Sequence, residues 1–301
     1  MKKHWILWFA IGLALFSFTK KKSSPTRDLG KQYKNKYVFI PEGKLISANG
    51  EESIGSFFMS ATEISNQEYK EFLTDLKATH PMDLWQKALP DTTQWRQIGS
   101  YNEPYVTHYF SHPAYNTYPL CNVSHEAALI YCNWLTDKLN SEQGGKGLIY
   151  KVRLPSLSEW QYAARGGSDQ MPYAWGGPSI TNAKGTSLCN YASLGAENIH
   201  FNEDTQSYEI IRSASSMGVA GYLKDNADIT APVYSYSPNR YGLYNMNGNI
   251  AEMVADKGIA CGGSWRSAGF DVRNESTTKH TGPSPSVGFR VLIEVVSLKA
   301  S

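Results

Sequence analysis

The stretch GNIAEMVADKGIACGGSWRSAGFDVRNESTTKH, from Gly248 to His280, holds the residues best able to do chemistry. Glu252 and Asp256 stand four apart, a spacing that could set an acid and a base on one helix face and equally suits an ordinary solvated helix. Ser264 and Ser267 flank Trp265, but the G-x-S-x-G frame that exposes a nucleophilic hydroxyl on a strained turn is missing. Cys261 precedes the glycine pair, and no thiol follows it. His108 and His112 are also four apart, yet Pro113 follows directly and Ala114 stands where a carboxylate ligand would be wanted. There is no H-E-x-x-H. His125 and Glu126 open a helix, where a glutamate simply complements the positive end of the dipole. No catalytic residue is assigned.

The four cysteines, Cys121, Cys132, Cys189 and Cys261, form no C-x-x-C pair, which excludes zinc-ribbon and thioredoxin chemistry. Spacing does not choose among the three possible disulfide pairings. Cys132 lies in a helical pattern and reads as a small buried apolar residue.

The elements that must position these residues are short. In SNQEYKEFLTDLK, Ser65 and Glu68 make a capping box, and Tyr69, Phe72, Leu73 and Leu76 form one apolar stripe. In SHEAALIYCNWLTDKLN, Ser124 caps a helix whose Ala128, Tyr131, Trp134 and Leu135 share a face. In LPSLSEWQYAARGG, Ser156 and Glu159 form a second box, and Gly166 stands at a left-handed C-cap. KYVFIPEG and GFRVLIEVV read as strands near the two ends of the domain and are expected to pair antiparallel. From Gly166 to Ala231 the pattern is weak, and so long a loop needs something besides apolar packing to hold it, such as a bound ion.

Over 301 residues, a net charge of +2 and 19% charged residues speak against a polyanion-binding face, so no nucleic-acid partner is expected. Nineteen tyrosines, eight tryptophans and 25 glycines suit a loop-rich fold filled by rings. Residues 1–19 (MKKHWILWFAIGLALFSFT) have a basic start and a short apolar run, expected to be a secretory signal or a short membrane anchor. Residues 20–36 read as a polar tether, and 37–301 as one domain with an insertion at about 86–118.

The blocks FFMSATEISNQEYKEFL, NVSHEAALIYCNWL, RLPSLSEWQYAARGG, YAWGG, APVYSYSPNRYGLYNMNGNIAEMVAD, GGSWRS and GFR resemble, in order and spacing, the formylglycine-generating, sulfatase-modifying-factor family. That resemblance implies an irregular, C-type-lectin-like α+β fold with a small twisted antiparallel sheet, a few helices and long loops. The segments LPDTTQW, YNEPYVTHYFSHPAYNTYP and WGGPSITNAKGTSLCNY resemble, more narrowly, the GldJ/GldK-type gliding-motility lipoproteins of Bacteroidota, tied to type IX secretion. LFSFTK lacks the lipid-bearing cysteine of such proteins.

Block by block, the two copper-binding cysteines of the family's enzymes would fall on Ser267 and Val272, so copper is not expected. The resemblance implies calcium, held by Asn245, Gly248, Ile250 and Glu252, with a second set at Asn190, Tyr191, Asp225 and Ala227. The alternative for the first set is a turn in which Asn245 and Asn249 satisfy the backbone. The expected role is a non-catalytic, exported interaction protein of an envelope motility or secretion assembly, in the periplasm or on the periplasmic face of the outer membrane. Its partners would be protein components of that assembly, with membrane association possible through the N-terminal segment. Trp95, Tyr101, Tyr105, His108, Tyr109, Phe110, His112 and Tyr115 would form the contact surface. Two other classes remain open: a divergent oxidoreductase using another metal, and a lectin-like ligand-binding module.

Overall fold

The computed structural model describes residues 29, 33, 36–47, 50–98, 101–142, 148–168, 171–192, 199–204, 206–210 and 227–298. In chain order the strands are β1 (Tyr37–Ile40), β2 (Gly43–Ser47), β3 (Gly50–Ile54), β4 (Phe57–Ser60), β5 (Leu148–Arg153), β6 (Ile199–Asn202), β7 (Ser207–Ile210), β8 (Ala251–Met253), β9 (Ile259–Cys261), β10 (Thr277–Lys279), β11 (Val287–Gly288) and β12 (Leu292–Leu298). The helices are α1 (Asn66–Thr79), α2 (Met82–Ala88), α3 (Glu103–His108), α4 (His125–Glu142) and α5 (Leu157–Arg165).

The main sheet has the order β1-β4-β12-β5 and is antiparallel throughout. The two end strands therefore share a sheet but do not pair directly, because β4 lies between them. All four residues of β4 are buried, as a strand covered on both faces requires, so it shows no period-2 alternation. A second sheet, β10-β9-β8-β11, includes one parallel pairing, β11 with β8. The fold is α+β, with small open sheets, few helices and long connections.

The capping signals hold. Ser65 Oγ accepts from Glu68 N while Ser65 N donates to Glu68 Oε2, and Ser156 with Glu159 does the same for α5. Gly166 ends α5 at φ +58°, and Ser124 Oγ accepts from Ala127 N to start α4. Tyr69 and Phe72 of α1 meet Tyr131 and Trp134 of α4 in a cluster of aromatic contacts, which also reaches Phe289.

Leu29 is fully buried in the main core, Tyr33 donates to Glu142 at 2.6 Å, and Lys36 pairs with Glu68 at 2.6 Å. The end of the expected tether is therefore docked on the domain, tied down by apolar residues four apart. The expected signal or anchor, residues 1–19, lies outside the described residues. Among the described residues, no helix is long and apolar enough to cross a membrane. The insertion is not an open loop. It carries α2, a 3₁₀ turn at Thr92–Gln97, α3 and a second 3₁₀ turn at Pro113–Tyr115.

Candidate functional site

The parallel pairing of β11 with β8 sets Glu252 opposite Gly288, and two residues further on the chain turns Arg290 inward. Arg290 donates from Nε and Nη2 to the two oxygens of Glu252 at 2.5 and 2.6 Å. Trp160 donates to the same carboxylate at 2.6 Å, and the rest of the guanidinium meets the carbonyls of Ser60 and Tyr244. Both charges are buried, so the pair is tolerable only because nearly every donor and acceptor is met. Glu252 therefore sits on a buried strand and Asp256 is exposed beyond it. Their four-residue spacing is not a helix face, and no acid–base pair forms.

A second carboxylate, Glu63, lies in the same interior with no surface exposed. Asn249 donates to its Oε1 at 2.8 Å and Asn245 to its Oε2 at 3.1 Å. Burial, with Glu252 adding to it against the pull of Arg290, pushes the Glu63 carboxyl up to about 8. Sequence reading missed this residue. Glu63 sits in a run of buried residues just before a cap, and nothing in its local pattern marks it as ionisable core.

The turn Asn245–Asn249 is built around positive φ: Asn245 at 52°, Gly248 at 74° and Asn249 at 61°. A Cβ on Gly248 would meet the Asn190 carbonyl oxygen at 2.2 Å, so only glycine fits there. The close approach lets Asn249 N donate to Asn190 O at 2.8 Å. Asn190 Nδ2 in turn holds the carbonyl of Ile229 and reaches Asn249 Oδ1.

The expected calcium ligands divide on this geometry. Asn245 Oδ1 is buried without a hydrogen-bond partner, which is what a hard oxygen waiting for a cation would look like. Glu252, in contrast, is corrected as a free carboxylate ligand. Arg290 and Trp160 take three of its roughly four acceptor positions, leaving one on Oε1. Within the first set, Asn245 Oδ1 is the oxygen the structure leaves open to an ion, beside the Glu63 carboxyl that its Nδ2 meets at 3.1 Å. In the second set, Asn190 and the ring of Tyr191 are buried and Ala227 is half-buried. Asp225 lies outside the described residues.

The expected copper positions do not fit the metal. Ser267 Oγ accepts from Ser264 N at 3.0 Å, and Ala192 N donates to the Ser267 carbonyl. Val272 is fully buried against Tyr173, Cys189 and Tyr191. A neutral hydroxyl tied into a turn and an apolar side chain offer copper(I) no soft donor. All four cysteines are buried, and none is in a disulfide. Burial raises the thiols of Cys121 and Cys261, and that of Cys132 to about 12.

The expected contact surface is also partly core. Trp95 and Tyr109 are fully buried and pack with Ile98, Cys121, Ile229 and Ile250, so both are corrected from surface to anchor. Trp95 stacks on Trp265 of GGSWRS with ring centroids 6.3 Å apart. Tyr109 Oη bonds the Pro119 carbonyl at 2.7 Å and Thr230 Oγ1 at 2.8 Å. Tyr101, His108 and His112 are exposed; Tyr105, Phe110 and Tyr115 are half-buried. His112 Nδ1 accepts from Ala114 N, capping the turn, and among the described residues no further histidine, cysteine or carboxylate joins the two histidines in a metal-binding group.

Above this packing lies a cleft of about 480 Å³, walled by Tyr105, Tyr115, Tyr118 and Tyr236, with the segment Ala227–Pro232 as its floor. Asn249 holds that floor through both backbone groups of Ala231, at 2.7 and 3.1 Å. The buried cluster and the cleft are therefore one hydrogen-bonded unit, running from Glu63 through Asn249 to Ala231.

The chain is similar to several known proteins. A formylglycine-generating enzyme from Thermomonospora curvata is 32% identical over 171 residues, 57% of this chain and 41% of that protein. The protein of the same name from Bos taurus is 25% identical over 230 residues, 68% of this chain and 50% of that protein. The chain thus matches half or less of the length of these relatives. PvdO from Pseudomonas aeruginosa superposes with a TM-score of 0.53 at 18% identity, covering 86% of this chain and 94% of its own. CarF superposes at 0.50 and 19%, covering 86% and 98%. These two likenesses establish the fold. Residues 26–295 match the sulfatase-modifying factor enzyme 1-like domain, and the chain belongs to that family.

Proposed function

We propose that this chain is a non-catalytic member of its family, one that binds protein partners in the cell envelope rather than oxidising a cysteine. The observation that carries this reading is Val272, a fully buried apolar side chain where the family resemblance puts a copper-binding thiol. Ser267, at the other such position, is tied into a serine turn. Cys121, Cys132 and Cys261 are buried with raised thiols and supply no thiolate at neutral pH in exchange. The curated relatives named formylglycine-generating enzymes set the competing reading, oxidation of a cysteine in a peptide.

The narrower resemblance of the insertion to the GldJ/GldK type supports a motility or type IX secretion assembly as the setting. The basic and apolar start of the chain supports export to the periplasm or the periplasmic face of the outer membrane. Calcium at the Asn245 turn would then be a structural ion, bracing the turn against which Asn190 and the cleft floor are held.

Crosslinking in native envelopes, followed by purification and mass spectrometry, tests the partner claim. Recovery of a few stoichiometric envelope proteins supports it, and recovery of a lone monomer overturns it. Incubation of the copper-treated protein with cysteine-containing peptides tests the other half. Conversion of the thiol to an aldehyde would overturn the non-catalytic reading.

A further inference from the structure

A groove of about 610 Å³ lies between α1, α2 and Phe110, and it shares no lining residue with the tyrosine-walled cleft. Its floor and far wall are apolar: Leu73 from α1, Trp85 from α2, Leu89 just past the end of α2, and Phe110 just past α3. Leu73 is buried, Trp85 and Phe110 are half-buried, and Leu89 is exposed. Lys70 and Lys77 form the rim, seven residues apart on α1.

Both ammonium groups are held over rings. Lys70 Nζ lies 5.6 Å from the centre of the Phe110 ring, and Lys77 Nζ lies 4.9 Å from that of Trp85. Lys70 Nζ also donates to Asn116 Oδ1 at 2.8 Å and to the Ser111 carbonyl at 3.2 Å, both neutral oxygens. Partial burial holds its ammonium below the usual lysine range, so an arriving anion would relieve a desolvated charge. Two carboxylates of α1 face elsewhere: Glu71 and Asp75 line the adjoining groove, where Asp75 accepts from Trp134 Nε1. The result is an apolar floor between two positive charges whose positions are set before a partner arrives.

The spacing of the lysines selects the form of the occupant. Seven residues of helix span about 10.5 Å. A helix laid along α1 matches that interval with carboxylates at i and i+7, and its residues i+3 and i+4 fall between them on the same face. An extended segment presents like-facing side chains about 6.8 or about 13.5 Å apart, so one lysine would be missed. We propose that this groove binds an acidic amphipathic helix of a partner polypeptide, with its apolar stripe on Trp85, Leu89 and Phe110 and its carboxylates at Lys70 and Lys77. This rests on the interaction reading above and gives the partner's contact its chemistry.

The test uses the full chain and three labelled, alanine-rich helical peptides, followed by fluorescence anisotropy. The first carries two glutamates seven apart, with leucines three and four positions after the first of them. The second has glutamine in place of both glutamates, and the third has the first peptide's composition in scrambled order. Saturable binding of the first is expected, weakened by salt, and at least fivefold weaker for the other two. Lys70→Gln and Lys77→Gln should each weaken it about threefold, and both together about tenfold, with melting little changed. No saturable binding of the first peptide, equal binding of the glutamine or scrambled peptide, or an unaffected double variant would each overturn the inference. A photocrosslinker at Ala78, on the groove's edge, separates the two levels in native envelopes. Capture of a partner through an acidic helical segment supports the inference, and capture of a second copy of this chain overturns it. A partner captured through a segment without carboxylates, or only at other surface positions, sinks this inference and leaves the interaction reading. The absence of any partner at every position sinks both.

Discussion

Arg290 and Glu252 lie face to face with both side chains buried, joined by two hydrogen bonds of 2.5 and 2.6 Å. The pair holds three parts of the chain together, because the same guanidinium reaches the carbonyls of Ser60 at the end of β4 and Tyr244 before the Asn245 turn. Removing one partner leaves the other charge stranded in the interior. Arg290→Met is expected to cost about 3–5 kcal/mol, which for a domain of this size lowers Tm by about 10 °C. The double variant Arg290→Met with Glu252→Gln should recover a substantial part of that loss. Denaturant melts of the four proteins check it, and additive losses would show that the ion pair is not the unit.

The pH response follows from Glu63. Its folded pKa, about 8, lies above the unfolded value of 4.5, so the native state binds the extra proton. The stability associated with neutral Glu63 is full below about pH 4.5 and is lost progressively as pH rises toward 8, by up to ~1.4 kcal/mol per pH unit. Carboxylates held low, such as Glu159 beside Arg153, act in the opposite direction, but below the ordinary carboxylate range. Melting in the presence of chelator from pH 5 to 8 should therefore show a decline in Tm, and Glu63→Gln should flatten it. An unchanged slope in that variant would assign the decline to another group.

The thiols give a simpler reading. Cys121, Cys132 and Cys261 are buried and their thiols are raised by desolvation, and Cys189 is buried as well. At neutral pH the folded protein should react with an aromatic disulfide reagent at well under a tenth of the rate of the denatured chain, with all four titrating once it is unfolded. Copper(I) offered in competition with a chromophoric chelator should stay with the chelator. A fast-reacting native thiol, or one equivalent of tightly held copper, would reopen oxidase chemistry.

Local signals were legible where the cause is local. Ser65 with Glu68 and Ser156 with Glu159 announce their helices because a cap is a contact between residues three apart. The family blocks likewise led to the fold. Glu63 was not legible, because its role depends on Asn245, Asn249 and Arg290, each about 180 or more residues away in the chain. The insertion was misread in part because aromatic residues look alike whether they anchor or recognise. Trp95 is buried in a ring cluster and Tyr101 is exposed, and residue type alone does not tell the two apart.

That difference can be measured. Trp95 is fully buried against Tyr105, Tyr109 and Trp265, whereas Tyr101 is 82% exposed. Trp95→Ala should cost about 3–5 kcal/mol and expose the Thr92–Tyr115 segment to proteases. Tyr101→Ala should stay within about 0.5 kcal/mol. If the Trp95 variant melts like the wild type and resists cleavage, the insertion is held by something other than its ring cluster.

Calcium is tested best at Asn245, since its Oδ1 is buried with no partner while its Nδ2 is committed to Glu63 and the Val233 carbonyl. A bound ion would satisfy that oxygen, and the ionised form of Glu63 would become favourable beside it. Two consequences separate this from an ordinary asparagine turn. Calcium at 100 times its dissociation constant should stabilise the protein by about 2.7 kcal/mol, and binding near pH 7 should release part of a proton, read as a buffer-dependent heat in calorimetry. Asn245→Ala should remove both effects. Asn190→Ala, which leaves that oxygen in place, should weaken the calcium response without abolishing it. A calcium response that survives intact in Asn245→Ala would move the ion elsewhere, and no response in the wild type would leave the turn to its hydrogen bonds alone.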